Sequence, residues 1–416
     1  MLTLFFGAYL VGRTAAQTGT FVDRQQATDL RVVTYNILWD TIFPDNDLIQ
    51  ANKFERVLTT LDPDVLNLQE IGNPFCQGCI PKTAEDVRVL LNSLAPLAGG
   101  GSWQVHQGGD NVIASKYPLS MKETNTFPSG NRFQAIALVD LPDAQFSTDF
   151  YFMNNHYKCC DNPGGTEDAQ RQQQSDAIVN WLRDARTPGD GVDLPPGTPF
   201  AVVGDLNIVG SLQPLNTLVD GNIIDESNYG SDSPPDWDGS SLTDAHPLQN
   251  GSGPDDYTWR NDNSNFDPGR LDYIIYSDST VNVGNQFVLN TFDMSPAELV
   301  ATGLHPLDIT VDSIGVRYDH LPIIVDFRLF DFADSDFNLS GSVDGDDLSI
   351  WEAGYQASAT THTEGDADRN GEVAGRDFLM WQQEYTSAIP SLAAVPEPVS
   401  ITLMLTCVLF ASTRRR

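Results

Sequence analysis

Positive charge is what this 416-residue chain has least of: 23 Lys and Arg stand against 57 Asp and Glu, a formal net charge of −34. A polyanion approaching from a distance is repelled, and no basic patch of the kind nucleic-acid binders carry is visible. An enzyme that meets phosphate through a bound metal needs no such patch, so a nuclease reading is weakened without being excluded. The shortage is general. Residues 331–390 hold thirteen acids against two arginines, yet most of the negative charge lies on residues 1–330, a balance that suits divalent cations. Cysteine is also sparse. Cys76 and Cys79 form one pair, Cys159 and Cys160 another, and Cys407 stands apart. No histidines of finger type accompany them, so disulfides between or within the two loops are expected before a zinc site, and the spacing leaves the pairing open. Long apolar runs are missing too. The 13-residue stretch Val399–Ala411 falls short of the roughly 20 residues that span a bilayer comfortably.

The length allows one large domain and a small one. Apolar runs bounded by turn residues predict strands at Arg31–Leu38, Val65–Gln69, Asn111–Ser115, Phe133–Leu141, Phe150–Asn154, Phe200–Gly204, Leu271–Tyr276 and Ile323–Phe330. Helical periodicity predicts helices over Leu48–Leu61, Thr83–Leu94 and Asp168–Ala185, the last with Ile178, Trp181 and Leu182 on one apolar face. Many strands with a few helices imply an α+β fold of stacked sheets covered by helices. Segments 187–199 and 221–269, rich in Pro, Gly, Asp, Asn and Ser, read as surface loops. At the start, the apolar run 2–11 followed by Thr14-Ala15-Ala16 reads as a signal peptide over residues 1–16, although no Lys or Arg precedes it.

Polar signatures fall at the ends of the expected strands: Thr34-Tyr35-Asn36-Ile37, Leu68-Gln69-Glu70, Asn155-His156-Tyr157-Lys158, Gly204-Asp205-Leu206-Asn207, Arg270-Leu271-Asp272-Tyr273 and Tyr318-Asp319-His320-Leu321-Pro322. Each alone is weak, since Gly-Asp closes many turns and a single histidine is usually structural. Together they supply what phosphodiester hydrolysis requires. Hard oxygen ligands hold Mg²⁺ or Mn²⁺, a base activates water, and donors stabilise the developing charge.

The order Asn, Glu, His, Asp-x-Asn, Asp, Asp-His resembles the endonuclease/exonuclease/phosphatase superfamily over about residues 29–330, and Asn111-Val-Ile-Ala-Ser-Lys-Tyr-Pro118 is similar to its central strand motif. The resemblance implies a DNase I-like four-layer sandwich of two β-sheets flanked by helices. It also implies metal ligation by Glu70 with Asn36 and Asp319, and alignment or deprotonation of water by Asp205. Asn207 would orient the phosphate and His320 would contact it, with Asp272 fixing the His320 tautomer. His156 would assist the leaving group; no carboxylate partner for it stands out in the sequence. Lys158, Arg171 and Trp181-Leu182 resemble secreted bacterial nucleases, against a reading of Lys158 and Arg171 as solvated charges. The expected activity is therefore extracellular hydrolysis of DNA or RNA by a monomer. The alternatives are a phosphatase, a sphingomyelinase-like phospholipase (though Trp237 and Trp259 form no exposed aromatic cluster) and a non-catalytic surface-binding protein.

Two twelve-residue acidic repeats follow. The first offers calcium ligands at Asp336, Asn338, Ser340, the Ser342 carbonyl, Asp344 and Asp347; the second at Asp366, Asp368, Asn370, the Glu372 carbonyl and Asp377, with Ala374 at the ninth position. With Gly341 and Gly371 at the turns and Trp351 and Trp381 on the following helices, they resemble dockerin repeats. That resemblance implies a small all-α module over 331–387 that binds Ca²⁺ and could engage a cohesin-like protein, though a calcium-stapled spacer is the favoured reading. Val395-Pro396-Glu397-Pro398, the apolar stretch and Arg414-Arg415-Arg416 are similar to a PEP-CTERM signal. This implies that residues 388–416 form a sorting tail with a short transmembrane segment, handled by envelope machinery, and that the protein resides at the cell surface or outside.

Overall fold

The computed structural model describes residues 19–385 apart from 73–80, 128–131, 144, 161–163, 190, 312–318, 330–334, 339, 341, 359–361 and 368–371. The expected leader, the Cys76–Cys79 pair, Tyr318, Asp368, Asn370 and the sorting tail lie outside the described residues. Among those described, no helix is long and apolar enough to cross a membrane. The chain divides into two compact units, Met1–Asp331 and Phe332–Arg416.

Two six-stranded sheets build the first unit. In spatial order one runs Val281–Val288, Ile323–Leu329, Leu30–Asn36, Val65–Gln69, Asn111–Ser115 and Gln104–Gly108. The other runs Leu119–Thr126, Phe133–Val139, Phe150–His156, Phe200–Asp205, Asp272–Tyr276 and Thr243–Ala245. Only the two central strands of each sheet are parallel: Asn36 pairs Gln69 at the end of one pair, and His156 pairs Asp205 at the end of the other. These strands are buried on both faces and are mostly apolar, turning polar toward their carboxyl ends.

Side chains alternate between two cores. Phe150 and Phe152 join Val32, Val65 and Phe327 between the sheets, whereas Tyr151 and Met153 face Ile178 and Leu182 of the helix Thr166–Ala185. Near the carboxyl ends of the strands the filling turns polar. Gln69 Nε2 donates to Asn154 Oδ1 at 2.6 Å, and Asn154 Nδ2 donates to the Leu68 and Val112 carbonyls at 3.0 and 2.8 Å. These bonds stitch one sheet to the other directly beneath the strand ends.

Helix Leu48–Leu61 covers the first sheet with Ala51, Phe54, Leu58 and Leu61, a spacing of three and four residues that forms one stripe. Asp47 caps it by accepting from the Ile49 and Gln50 amides. Helix Ala84–Leu94 starts on a Thr83–Asp86 capping box. Segment 221–269, expected as loop, holds a helical turn at Glu226–Tyr229 and the edge strand Thr243–Ala245. The architecture is the expected α+β sandwich of two packed sheets flanked by helices.

The second unit places helices Gly345–Gly354 and Gly375–Glu384 in a reciprocal arrangement. Trp351 Nε1 donates to the Ala374 carbonyl, and Trp381 Nε1 to the Asp344 carbonyl, each at 2.9 Å. Each indole therefore closes on the ninth position of the other acidic repeat. Asp347 accepts from the Asn338 and Asp344 amides at 3.1 and 2.9 Å, and Asp377 from the Ala374 amide at 2.7 Å.

Candidate active site

The strand order puts the sequence signatures at one end of the sandwich. Asn36 and Glu70 close the parallel pair of the first sheet, and His156 and Asp205 close that of the second. Asp272 lies opposite Asp205 in register, and His320 lies three residues ahead of the strand Ile323–Leu329. Ligands of α/β sheets sit outside the carboxyl ends of parallel strands because polar groups and loops converge there. Here the strand ends open onto a cleft of about 1030 Å³.

Asp205 is the hub. Its Oδ2 accepts from Asn36 Nδ2 at 3.0 Å and lies 3.6 Å from His156 Nε2 and 3.7 Å from His320 Nε2. Its Oδ1 accepts from the Asn207 amide at 3.0 Å. Asn36 Nδ2 also donates to Glu70 Oε1 at 3.1 Å, and the Trp39 amide donates to Glu70 Oε2 at 3.2 Å. His320 Nδ1 meets Asp272 Oδ2 at 2.7 Å. Asp319, on the same cleft, accepts from Trp259 Nε1 at 3.2 Å. All eight residues assigned from the sequence to catalysis or metal binding therefore reach one site.

Local backbone geometry accounts for part of this convergence. Gly204 has φ +121°, and a Cβ there would lie 2.0 Å from the Asn155 carbonyl oxygen. Only glycine lets the Phe200–Asp205 strand approach its parallel neighbour at the point where Asp205 must face His156. Leu38, Trp39 and Asp40 are successively left-handed, with φ of 49°, 50° and 63°, and Glu70 has φ 65°. Such residues cost of order 1–2 kcal/mol each. They are held by bonds from the Asp40 amide to the Glu70 carbonyl at 3.2 Å and from the Gly72 amide to Asp40 Oδ1 at 2.7 Å. The strain sits beside the acidic centre, as it does in many functional sites.

The structure adds a residue that the sequence did not reveal. Asp110 Oδ2 meets His156 Nδ1 at 2.7 Å and lies 3.6 Å from an Arg132 guanidinium nitrogen. His156 thus has the carboxylate partner that could not be named from sequence, and the two histidines form matched dyads on either side of Asp205. The only signal was Gly108-Gly109-Asp110 directly before the Asn111 motif, which reads as an ordinary hairpin turn. Replacing Asp110 by Asn should lower turnover about 10–100-fold by releasing the imidazole that it orients; steady-state kinetics with a thermal-melt control checks this, and an unchanged rate refutes the dyad's role.

Arg171 removes one of the two readings left open for it. It is wholly buried, not solvated, and its guanidinium donates to the carbonyls of Lys158, Cys160 and Val209 at 2.9, 3.0 and 2.9 Å. It braces the turn after His156 against the turn after Asp205. Lys158 does line the cleft, and so do Cys159 and Cys160, which are both free thiols.

Electrostatics follow from burial. Burial opposes protonation of His320, but Asp272 and Asp205 outweigh it and hold the imidazole well above its ordinary range. His156 is likewise raised: burial works against the charge and Asp110 overcomes it. Burial pushes Glu70 up, against the pull of His156 and Asn36. Five carboxylates line the cleft (Glu70, Asp110, Asp205, Asp267 and Asp319), while Arg132 and Lys158 are the only lysine or arginine among the described lining residues. Crowded hard oxygens of this kind fit a divalent cation. Asp205, Asp272 and His320 also offer ligand atoms within 4.8 Å of one another. Within that group Asp272 Oδ2 and His320 Nδ1 are engaged with each other at 2.7 Å.

A two-sheet sandwich with this cleft at its parallel strand ends belongs to the DNase I-like fold class. The Endonuclease/Exonuclease/phosphatase family model matches residues 33–295, and the chain belongs to that family. Similar solved structures include TDP2 of D. rerio humanized by 14 mutations, at 16% identity over 73% of this chain and 100% of that one, TM-score 0.43. The human Nocturnin catalytic domain with bound sulfate is 16% identical over 73% and 96% of the two chains, TM-score 0.43. An endonuclease/exonuclease/phosphatase from Bacteroides vulgatus is 16% identical over 72% and 99%, TM-score 0.43. No curated protein matches the chain.

Proposed function

We propose that this chain is a divalent-metal-dependent phosphodiester hydrolase and, within that class, an exported nuclease acting on DNA or RNA. The observation that carries the reading is the convergence of two histidine–aspartate dyads on one Asp205 oxygen, at 3.6 and 3.7 Å. Glu70, Asn36 and Asp319 would hold the cation, Mg²⁺ or Mn²⁺, which supplies Lewis-acid polarisation of a phosphoryl oxygen. Asp205 aligns the attacking water and accepts its proton. Asn207 and His320 donate to the scissile phosphate, and Asp272 keeps the His320 Nδ1 proton in place so that Nε2 faces the reaction. His156, braced by Asp110, delivers a proton to the leaving oxygen.

A second reading, hydrolysis of a smaller or lipid phosphoester, is favoured by the apolar wall of Leu38, Trp39, Phe133, Trp259 and Phe266. Plasmid DNA, RNA, bis-p-nitrophenyl phosphate and sphingomyelin, each assayed with Mg²⁺, Mn²⁺ and EDTA, separate the readings. DNA or RNA cleavage that EDTA abolishes supports the nuclease, and turnover of sphingomyelin alone supports the phospholipase. Inactivity on all four makes the chain a binding protein.

We also propose that the second unit binds Ca²⁺ as a dockerin-like spacer, because Asp336, Asp347, Asp366 and Asp377 are all buried in it. Calcium should alter Trp351 and Trp381 emission and EGTA should reverse the change; a flat titration sinks the idea. Export and envelope retention rest on the two ends of the chain, and cell fractionation with N-terminal sequencing tests them.

A further inference from the structure

Three adjacent residues in the cleft wall are held more firmly than a surface turn requires. The carbonyls of Lys158 and Cys160 both accept from one nitrogen of the buried Arg171, at 2.9 and 3.0 Å, and the Lys158 amide donates to Gln174 Oε1 at 3.2 Å. Cys160 is left-handed, with φ 75°, a conformation uncommon for a residue with a side chain. Within this clamped turn the Cys159 and Cys160 sulfurs stand 2.7 Å apart. Both residues line the catalytic cleft.

We propose that Cys159 and Cys160 are a modification site: they close into a labile vicinal disulfide in the cleft wall, and its state sets how well substrate is held. Neighbouring Cα atoms about 3.8 Å apart lie below the usual disulfide span, so a ring closed between them is strained and easily reduced. Strained, accessible disulfides are the labile ones. The co-reactant is a small-molecule disulfide. The exposed Cys160 thiolate attacks one of its sulfurs and expels a thiolate, giving a mixed disulfide. The Cys159 thiolate then attacks the Cys160 sulfur and expels the second. Two protein thiols and one disulfide become one protein disulfide and two small thiols, which carry away the two protons. Burial and the neighbouring thiol push Cys160 up to about 11, so exchange quickens in alkaline buffer.

Neither sulfur is hydrogen-bonded to His156, Asp205 or His320, so ring closure should act on binding and leave the chemical step alone. A closed ring stiffens the wall that carries Lys158, and a preorganised wall binds better.

The full chain, reduced with dithiothreitol and then treated with oxidised glutathione, tests this by peptide mapping without reduction. The peptide containing Cys159 and Cys160 should be lighter by the mass of two hydrogens and should revert under mild dithiothreitol while the fold persists. A pair that stays reduced, stays glutathionylated or crosslinks to Cys76 or Cys79 overturns the proposal. The second arm rests on the hydrolase reading and measures bis-p-nitrophenyl phosphate turnover. KM should be at least about threefold lower in the oxidised form with kcat unchanged, and Cys159→Ser should abolish the redox response. An identical KM in both states overturns the functional half even where the mass shift is seen. Because the mass map does not depend on turnover, failure of the hydrolase reading is distinguishable from failure of the disulfide.

Discussion

Asp205→Ala is expected to lower kcat/KM for bis-p-nitrophenyl phosphate by about 10²–10⁴-fold, the span of positioned proton transfer, and His320→Ala by a comparable factor. Asp205 Oδ2 lies 3.0, 3.6 and 3.7 Å from Asn36, His156 and His320. Without it the carboxylate on which both Nε2 atoms converge is gone, and attacking water loses its acceptor. Asp205→Asn is the sharper test. It keeps volume and the Oδ1 bond from the Asn207 amide, so the fold should survive while kcat falls and KM changes little. The double variant Asp205→Ala/His320→Ala should be scarcely worse than either single one, because residues acting as a unit are not additive. A Asp205→Asn protein that melts normally and turns over at the native rate refutes the site assignment.

The strands legible in the sequence were not a random sample. The eight expected strands, Arg31–Leu38 through Ile323–Phe330, correspond to the eight interior strands, with no end displaced by more than two residues. The four that escaped notice are the four sheet edges: Gln104–Gly108, Leu119–Thr126, Thr243–Ala245 and Val281–Val288. An interior strand is buried on both faces and spells an apolar run. An edge strand such as LSMKETNT is largely exposed and spells polar residues, as edges must to avoid pairing with other chains.

The site divides in the same way. Residues at the ends of central strands were readable because an apolar run points to its own terminus. Asp110 was not, because it belongs to the turn between Gln104–Gly108 and Asn111–Ser115 in one sheet while His156 ends a strand of the other. Only the packing of the two sheets brings them to 2.7 Å. Arg171 was left between two readings for a related reason: a charge on a helix is solvated by default, and the three carbonyls that bury it come from loops whose positions no local pattern encodes.

Asp326→Ala should destabilise the fold by about 3–5 kcal/mol, the cost of stranding a buried charge. Asp326 and Arg31 are register partners on the adjoining strands Ile323–Leu329 and Leu30–Asn36, and both are buried. The guanidinium reaches both carboxylate oxygens, at 2.6 and 2.7 Å, and donates to the Leu61 carbonyl at 2.9 Å. The Arg31 amide donates to Asp64 Oδ2 at 2.9 Å, so the pair also ties in the end of helix Leu48–Leu61 and the start of the next strand. Removing one partner leaves the other charged, desolvated and unpaired. Removing both, as Arg31→Met/Asp326→Leu, should cost less than the single change because apolar side chains tolerate the site. Urea unfolding followed by far-UV circular dichroism reads both. A single variant weakened by less than about 1 kcal/mol would assign the pair no more than a surface contact's worth. The consequence reaches the cleft, since the same two strands carry Asn36 at the end of one and Asp319-His320 ahead of the other. A slip of one residue in their register would turn every side chain on the slipped strand to the opposite face, and the ion pair holds that register near the start of Leu30–Asn36 and at the middle of Ile323–Leu329.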